Sequence, residues 1–167
     1  MTPEPELAPE YVEWLDRVTA TFEAVFYTCR VRLGDRVAAE AVALRVATGL
    51  VSRPAVFRHW GLPYSGRIAK LAEDGIADAL GGRMVPRGSW TAFRQALTLV
   101  SAEHQTTFVL TCVQGHTDDQ LAEAWGCDVE TAGARRARTL ALMRELATGH
   151  GDTGSPAPTA TTTDERR

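Results

Sequence analysis

Apolar residues recur at three- and four-residue spacing along most of this chain, and that spacing predicts helices. Tyr11, Trp14, Leu15, Val18, Phe22, Val25, Phe26, Cys29 and Leu33 form one continuous stripe over residues 10–33. Gly34 follows as a helix-ending glycine and Asp35 as the N-cap of a second helix. The second helix carries Val37, Ala41, Val42, Leu44, Val46 and Leu50 and stops before Pro54. A third helix, over 65–80, sets Ile68, Leu71, Ala72, Ile76 and Ala79 in register. Gly81, Gly82 and Gly88 then break the pattern, with Arg83 and Arg87 among them. Beyond this stretch Ser89 caps a short helix holding Phe93, Ala96 and Leu97, and a further helix over 103–113 closes at Gly115. No strand alternation and no internal repeat interrupts this order. The expected fold is all-α, with two small helical domains (10–80 and 90–148) joined by a Gly-rich linker at 81–89.

The last part of the second unit has its own punctuation. Thr117 with Gln120 three residues later fits a capping box that opens a helix over 118–125, with Leu121, Ala122 and Trp125 expected inside. Gly126 ends that helix, Cys127 and Asp128 make a tight turn, and Asp128 caps a longer helix over 129–147. Two helices joined by so short a glycine-containing turn form a helix-turn-helix. Ala122 is expected at the crossing, where a larger side chain would hold the helices apart, and Val129 is expected to fill the angle between them. Glu130, Thr131, Ala134, Arg135 and Arg138 then face away from the core. The four-and-three spacing of Thr131, Arg135 and Arg138 gives them one face suited to a DNA major groove, where arginine reads guanine or phosphate.

Composition narrows the function. The chain is 44% hydrophobic, enough for a packed core, yet no apolar run approaches the ~20 residues of a membrane helix. Its first six residues include Glu4 and Glu6 where a secretion signal would be basic and then apolar, so a cytoplasmic location is expected. Residues 149–167 lack any large apolar side chain and are expected to be a disordered tail. Cys29, Cys112 and Cys127 form no CxxC pair; Cys112, His116 and His104 could be imagined around a metal but read better as core and surface residues, so neither metal nor cofactor is expected. A phosphate loop followed by lysine, a nucleophile elbow and an HExxH are all missing, which argues against an enzyme.

The stretch Gln120-Leu121-Ala122-Glu123-Ala124-Trp125-Gly126, followed by Glu130-Thr131-Ala132-Gly133-Ala134-Arg135-Arg136 and then Arg144-Glu145-Leu146, resembles the promoter-recognition domain of extracytoplasmic-function-type RNA polymerase sigma factors. Upstream, Leu33-Gly34-Asp35-Arg36 with Ala39-Glu40-Ala41-Val42 is similar to the opening of that family's polymerase-binding domain. Tyr64-Ser65-Gly66-Arg67-Ile68-Ala69-Lys70 is similar to its promoter-melting helix. The resemblance implies a transcription protein whose partners are core RNA polymerase, promoter DNA and an anti-sigma or other regulatory protein, with no membrane partner. It implies DNA contacts from Glu130, Thr131, Gly133, Ala134, Arg135 and Arg138, polymerase contacts from Glu40, Ala41, Arg45 and Thr48, and melting-type contacts from Tyr64, Arg67 and Lys70.

Several positions depart from that pattern. Ala41 and Ala43 replace a polar pair, Gly133 and Ala134 replace lysine and serine, and Arg136 stands where a buried leucine belongs. Residues 101–146 hold four basic and seven acidic side chains, so few counterions would be released on free DNA and affinity without polymerase should be weak. These departures leave a second expectation open: a sigma-like interaction protein that binds polymerase, an anti-sigma protein or another regulator without reading DNA.

Overall fold

Helix α1, Pro9–Leu33, begins with proline in its first turn, where the missing N–H is harmless. The computed structural model describes residues 7–54, 66–86 and 88–150. The stripe along α1 is buried as its spacing requires: Tyr11, Trp14, Leu15, Val18, Phe22, Val25 and Cys29 are all inside. Burial pushes the Cys29 thiol up to about 11, so it is a packed apolar group and no nucleophile at neutral pH. Gly34 takes φ +66 and donates its N–H to the Arg30 carbonyl, and the Asp35 carboxylate accepts from the Val37 N–H at 2.9 Å to start α2, Arg36–Ser52.

Helix α2 is buried on nearly every side, with Ala39, Val42, Ala43, Leu44, Val46, Ala47, Leu50 and Val51 all in the core. Its small residues let three helices approach it: α1, then α3 (Gly66–Leu80), then the long C-terminal helix. The α3 contact is close. A Cβ added at Gly75 would lie 2.7 Å from Val42 Cγ1, closer than two carbons can pack.

Two short helices come next. Ser89 accepts from the Ala92 N–H to cap α4, Trp90–Thr98. Helix α5, Ala102–Phe108, widens into a π-helical turn over Val109–Val113. Two more helices, α6 (Asp118–Trp125) and α7 (Val129–His150), follow. Among the described residues there are seven α-helices and no strand, as the periodicity predicts, and none is long and apolar enough to cross a membrane.

The glycine-rich stretch does not divide the core. One continuous cluster runs from Tyr11 through Phe93, Leu97 and Phe108 to Met143 and Ala147. Tyr11 donates its hydroxyl to the Leu97 carbonyl at 2.7 Å, and Trp14 meets Phe108 edge-on at 4.5 Å. Trp90 stacks on Phe22 at 4.3 Å. The helices on both sides of 81–89 therefore pack as one body, a correction to the two-unit organisation expected from the glycines. Glycines mark where the backbone turns; whether the flanking helices share a core depends on which stripes meet. The expected tail lies outside the described residues except for Gly149 and His150, with which α7 ends.

Candidate nucleic-acid interface

The α6–α7 junction is built from local signals. The Thr117 hydroxyl accepts from the Gln120 N–H and the Gln120 side chain accepts from the Thr117 N–H, which is the expected capping box. At the other end Gly126 takes φ +64, and the Cys127 N–H closes back onto the Ala122 carbonyl at 3.1 Å. The Asp128 carboxylate then accepts from the Thr131 N–H at 2.6 Å and starts α7. That bond, together with the Thr131 hydroxyl, holds the Asp128 carboxyl below the usual carboxylate range. Asp128 is therefore ionised and capping at neutral pH; because its pKa is lowered by folding, this support is lost only as pH falls through the acidic range.

Because the turn depends on a left-handed residue, Gly126→Ala is expected to destabilise the chain by about 1–2 kcal/mol. That corresponds to a fall in Tm of roughly 2–8 °C, measurable by thermal unfolding.

Leu121, Ala122 and Ala132 form a small apolar cluster of their own, with Leu110, Trp125 and Cys127 packed against it. Ala122 sits at the helix crossing, as its size requires. Val129 does not fill the angle: it is 47% exposed, and Ala132, one turn later, takes the inner position. Trp125 is only half buried, and its ring carries an arginine on one face.

The first three arginines of α7 stand in three environments. The Arg135 guanidinium lies 4.6 Å above the Trp125 ring, and its Nε donates to Glu103 at 3.2 Å. Arg136 turns the other way, donating from Nη2 to Asp118 Oδ2 at 3.1 Å with Nε 2.7 Å from Oδ1. Arg138 is exposed, as are Glu130, Thr131 and Ala134. Gly133 does not join that exposed group. It faces Asp118, where an added Cβ would lie 3.2 Å from Oδ2. The two departures at Gly133 and Arg136 thus have one cause: glycine leaves room for the carboxylate that an arginine, in place of an apolar residue, pairs with.

The expected polymerase-facing set on α2 is largely used within the chain. Glu40 accepts from the Trp90 N–H at 3.0 Å and so caps α4. Arg45 donates to Asp78 at 2.8 Å, and Arg83 donates to the same carboxylate at 3.1 Å; the two guanidiniums hold the Asp78 carboxyl below its ordinary value. Thr48 is fully buried and donates to the Arg45 carbonyl. Ala41 is half buried. These four do not form an exposed surface: Glu40 is held by Trp90, Arg45 by Asp78 on α3, Thr48 is buried and Ala41 half buried. Arg67 and Lys70 are exposed on α3, whereas Tyr64 lies outside the described residues.

Sequence reading also missed the His104–Thr139 pair, in which the ring Nδ1 and the buried hydroxyl are 2.6 Å apart, joining α5 to α7. No protein-family model, curated protein or solved structure matches this chain.

Proposed function

We propose that this chain is a divergent sigma-factor-like transcription protein whose α6–α7 pair acts as a helix-turn-helix on promoter DNA, in company with core RNA polymerase. The observation that carries the reading is the separation of this pair from the main core. Leu121, Ala122 and Ala132 pack on one another, so the first half of α7 projects with Glu130, Thr131, Ala134 and Arg138 toward solvent. The second half of α7, through Met143 and Ala147, is anchored in the body. A helix held rigidly at one end and exposed at the other is the arrangement that groove insertion requires.

Charge is consistent with weak binding to free DNA. The Arg135–Glu103 pair is solvent-exposed, and such pairs contribute about 0–1 kcal/mol, so a phosphate can take Arg135 from Glu103 at little expense. Arg136 is committed to Asp118 and is assigned no DNA contact. A lysine at 133 would meet Asp118 before it met a phosphate, so it would not simply add a cation.

The test compares duplex binding, in the presence of core polymerase, of the wild type and Arg138→Ala. If Arg138 reads a base, the variant loses about 1–3 kcal/mol and relaxes specificity at one position; if it holds a phosphate, all sequences weaken alike and the salt dependence flattens. Unchanged binding would remove α7 from the DNA.

A second reading has its own observation. Glu40, Arg45 and Thr48 are engaged inside the fold, and the 101–146 region carries more acidic than basic residues. Both favour a sigma-like interaction protein that meets an anti-sigma or other regulator without reading DNA.

A further inference from the structure

A pocket of about 520 Å³ opens where the end of α2, the π-helical turn and the start of α6 meet α7. Its polar lining includes Arg53, Thr111, His116, Asp118, Arg136 and Arg144. Three guanidiniums against one carboxylate make this a cationic concavity on a chain whose net charge is −3. The volume lies within the range of small-molecule sites, roughly 300–1,000 Å³.

Two further observations point to a ligand. The π-helical turn departs from the α-helical ladder at this wall, and such turns recur at functional sites. It leaves the Thr111 hydroxyl buried with no hydrogen-bond partner among the described residues, a group that native interiors rarely leave unpaired. The turn also frees the Leu110 carbonyl, which accepts from the His116 backbone N–H at 2.9 Å and faces His116 Nδ1 at 3.0 Å. A carbonyl only accepts, so Nδ1 carries the hydrogen and Nε2 is left for another partner. Leu140 and Cys112 supply an apolar wall.

We propose that this pocket binds a small organic phosphate, its anionic head on the arginines and the Thr111 hydroxyl and its apolar body against Leu140 and Cys112. Guanidiniums bind phosphate through paired, charge-assisted hydrogen bonds, and three of them along the wall of one pocket offer donors to a tetrahedral anion from more than one side. Because Asp118 opens α6 and Arg136 belongs to α7, a bound phosphate competes for Arg136 and acts directly on the α6–α7 junction. This site does not depend on whether that junction reads DNA.

Phenyl phosphate is a suitable probe, with phenol and inorganic phosphate as comparisons, titrated into the full chain at constant ionic strength and followed by amide NMR shifts. The expected result is saturable binding of phenyl phosphate with shifts centred on Thr111, Gly115 and His116. Inorganic phosphate should bind more weakly, and phenol should not saturate. Arg53→Gln and Arg144→Gln, both at exposed positions, should each weaken phenyl phosphate at least about tenfold, whereas Arg30→Gln on α1 should not. The absence of saturation overturns the proposal. So do shifts centred elsewhere, or affinity unchanged in both pocket variants.

Discussion

Phe108→Ala is expected to destabilise the whole chain by about 3–5 kcal/mol, in one cooperative transition. Phe108 is fully buried and lies edge-on to both Tyr11 and Trp14, at 6.2 and 4.5 Å, so its loss opens a cavity between α1 and α5. The magnitude corresponds to a drop in Tm of roughly 10 °C or more. If 10–80 and 90–148 were independent units, the first would unfold at its original temperature and only the second would shift. Calorimetry of the variant decides between these outcomes, since a single displaced peak and two separate peaks are easily told apart.

Gly75→Ala should have the second largest effect, a loss of about 1–3 kcal/mol from overpacking. The added methyl would meet Val42 Cγ1 at 2.7 Å, and Val42 is fully buried and stiff about χ1, so the helices must separate instead. In an open helix Gly→Ala stabilises by roughly 0.5–1 kcal/mol. The sign of the change in denaturant midpoint therefore reports directly on the α2–α3 contact: a gain in stability would mean that these helices do not pack as described.

What could be read from the sequence was local. The α1 stripe, the Gly34–Asp35 break, the Thr117–Gln120 capping box and the Gly126 turn each depend on residues within about one helical turn of one another. What could not be read depends on partners distant in the chain. Glu40 and Arg45 look like surface residues of α2, yet their partners are Trp90 and Asp78, 50 and 33 residues away. Nothing in the spacing of Leu140, Met143 and Ala147 says that this stripe covers α2 rather than a neighbour within its own half. Gly133 and Arg136 read singly as lost contacts of a recognition helix. Only the angle between α6 and α7 brings Asp118 over the glycine and onto the arginine, giving the two departures a shared structural role.

The exposed half of α7 carries the DNA-reading role in this proposal. Arg138 lies outside the ion pairs that tie Arg135 to Glu103 and Arg136 to Asp118, and its removal should leave the fold unchanged while altering what the helix binds. Promoter-dependent run-off transcription, with core RNA polymerase and a pool of genomic promoter fragments, is the most direct measurement. Discrete transcripts are expected with the wild-type chain, absent with core enzyme alone and diminished with Arg138→Ala. A chain that co-purifies with polymerase but yields no transcript above core enzyme would contradict promoter reading and leave the interaction protein.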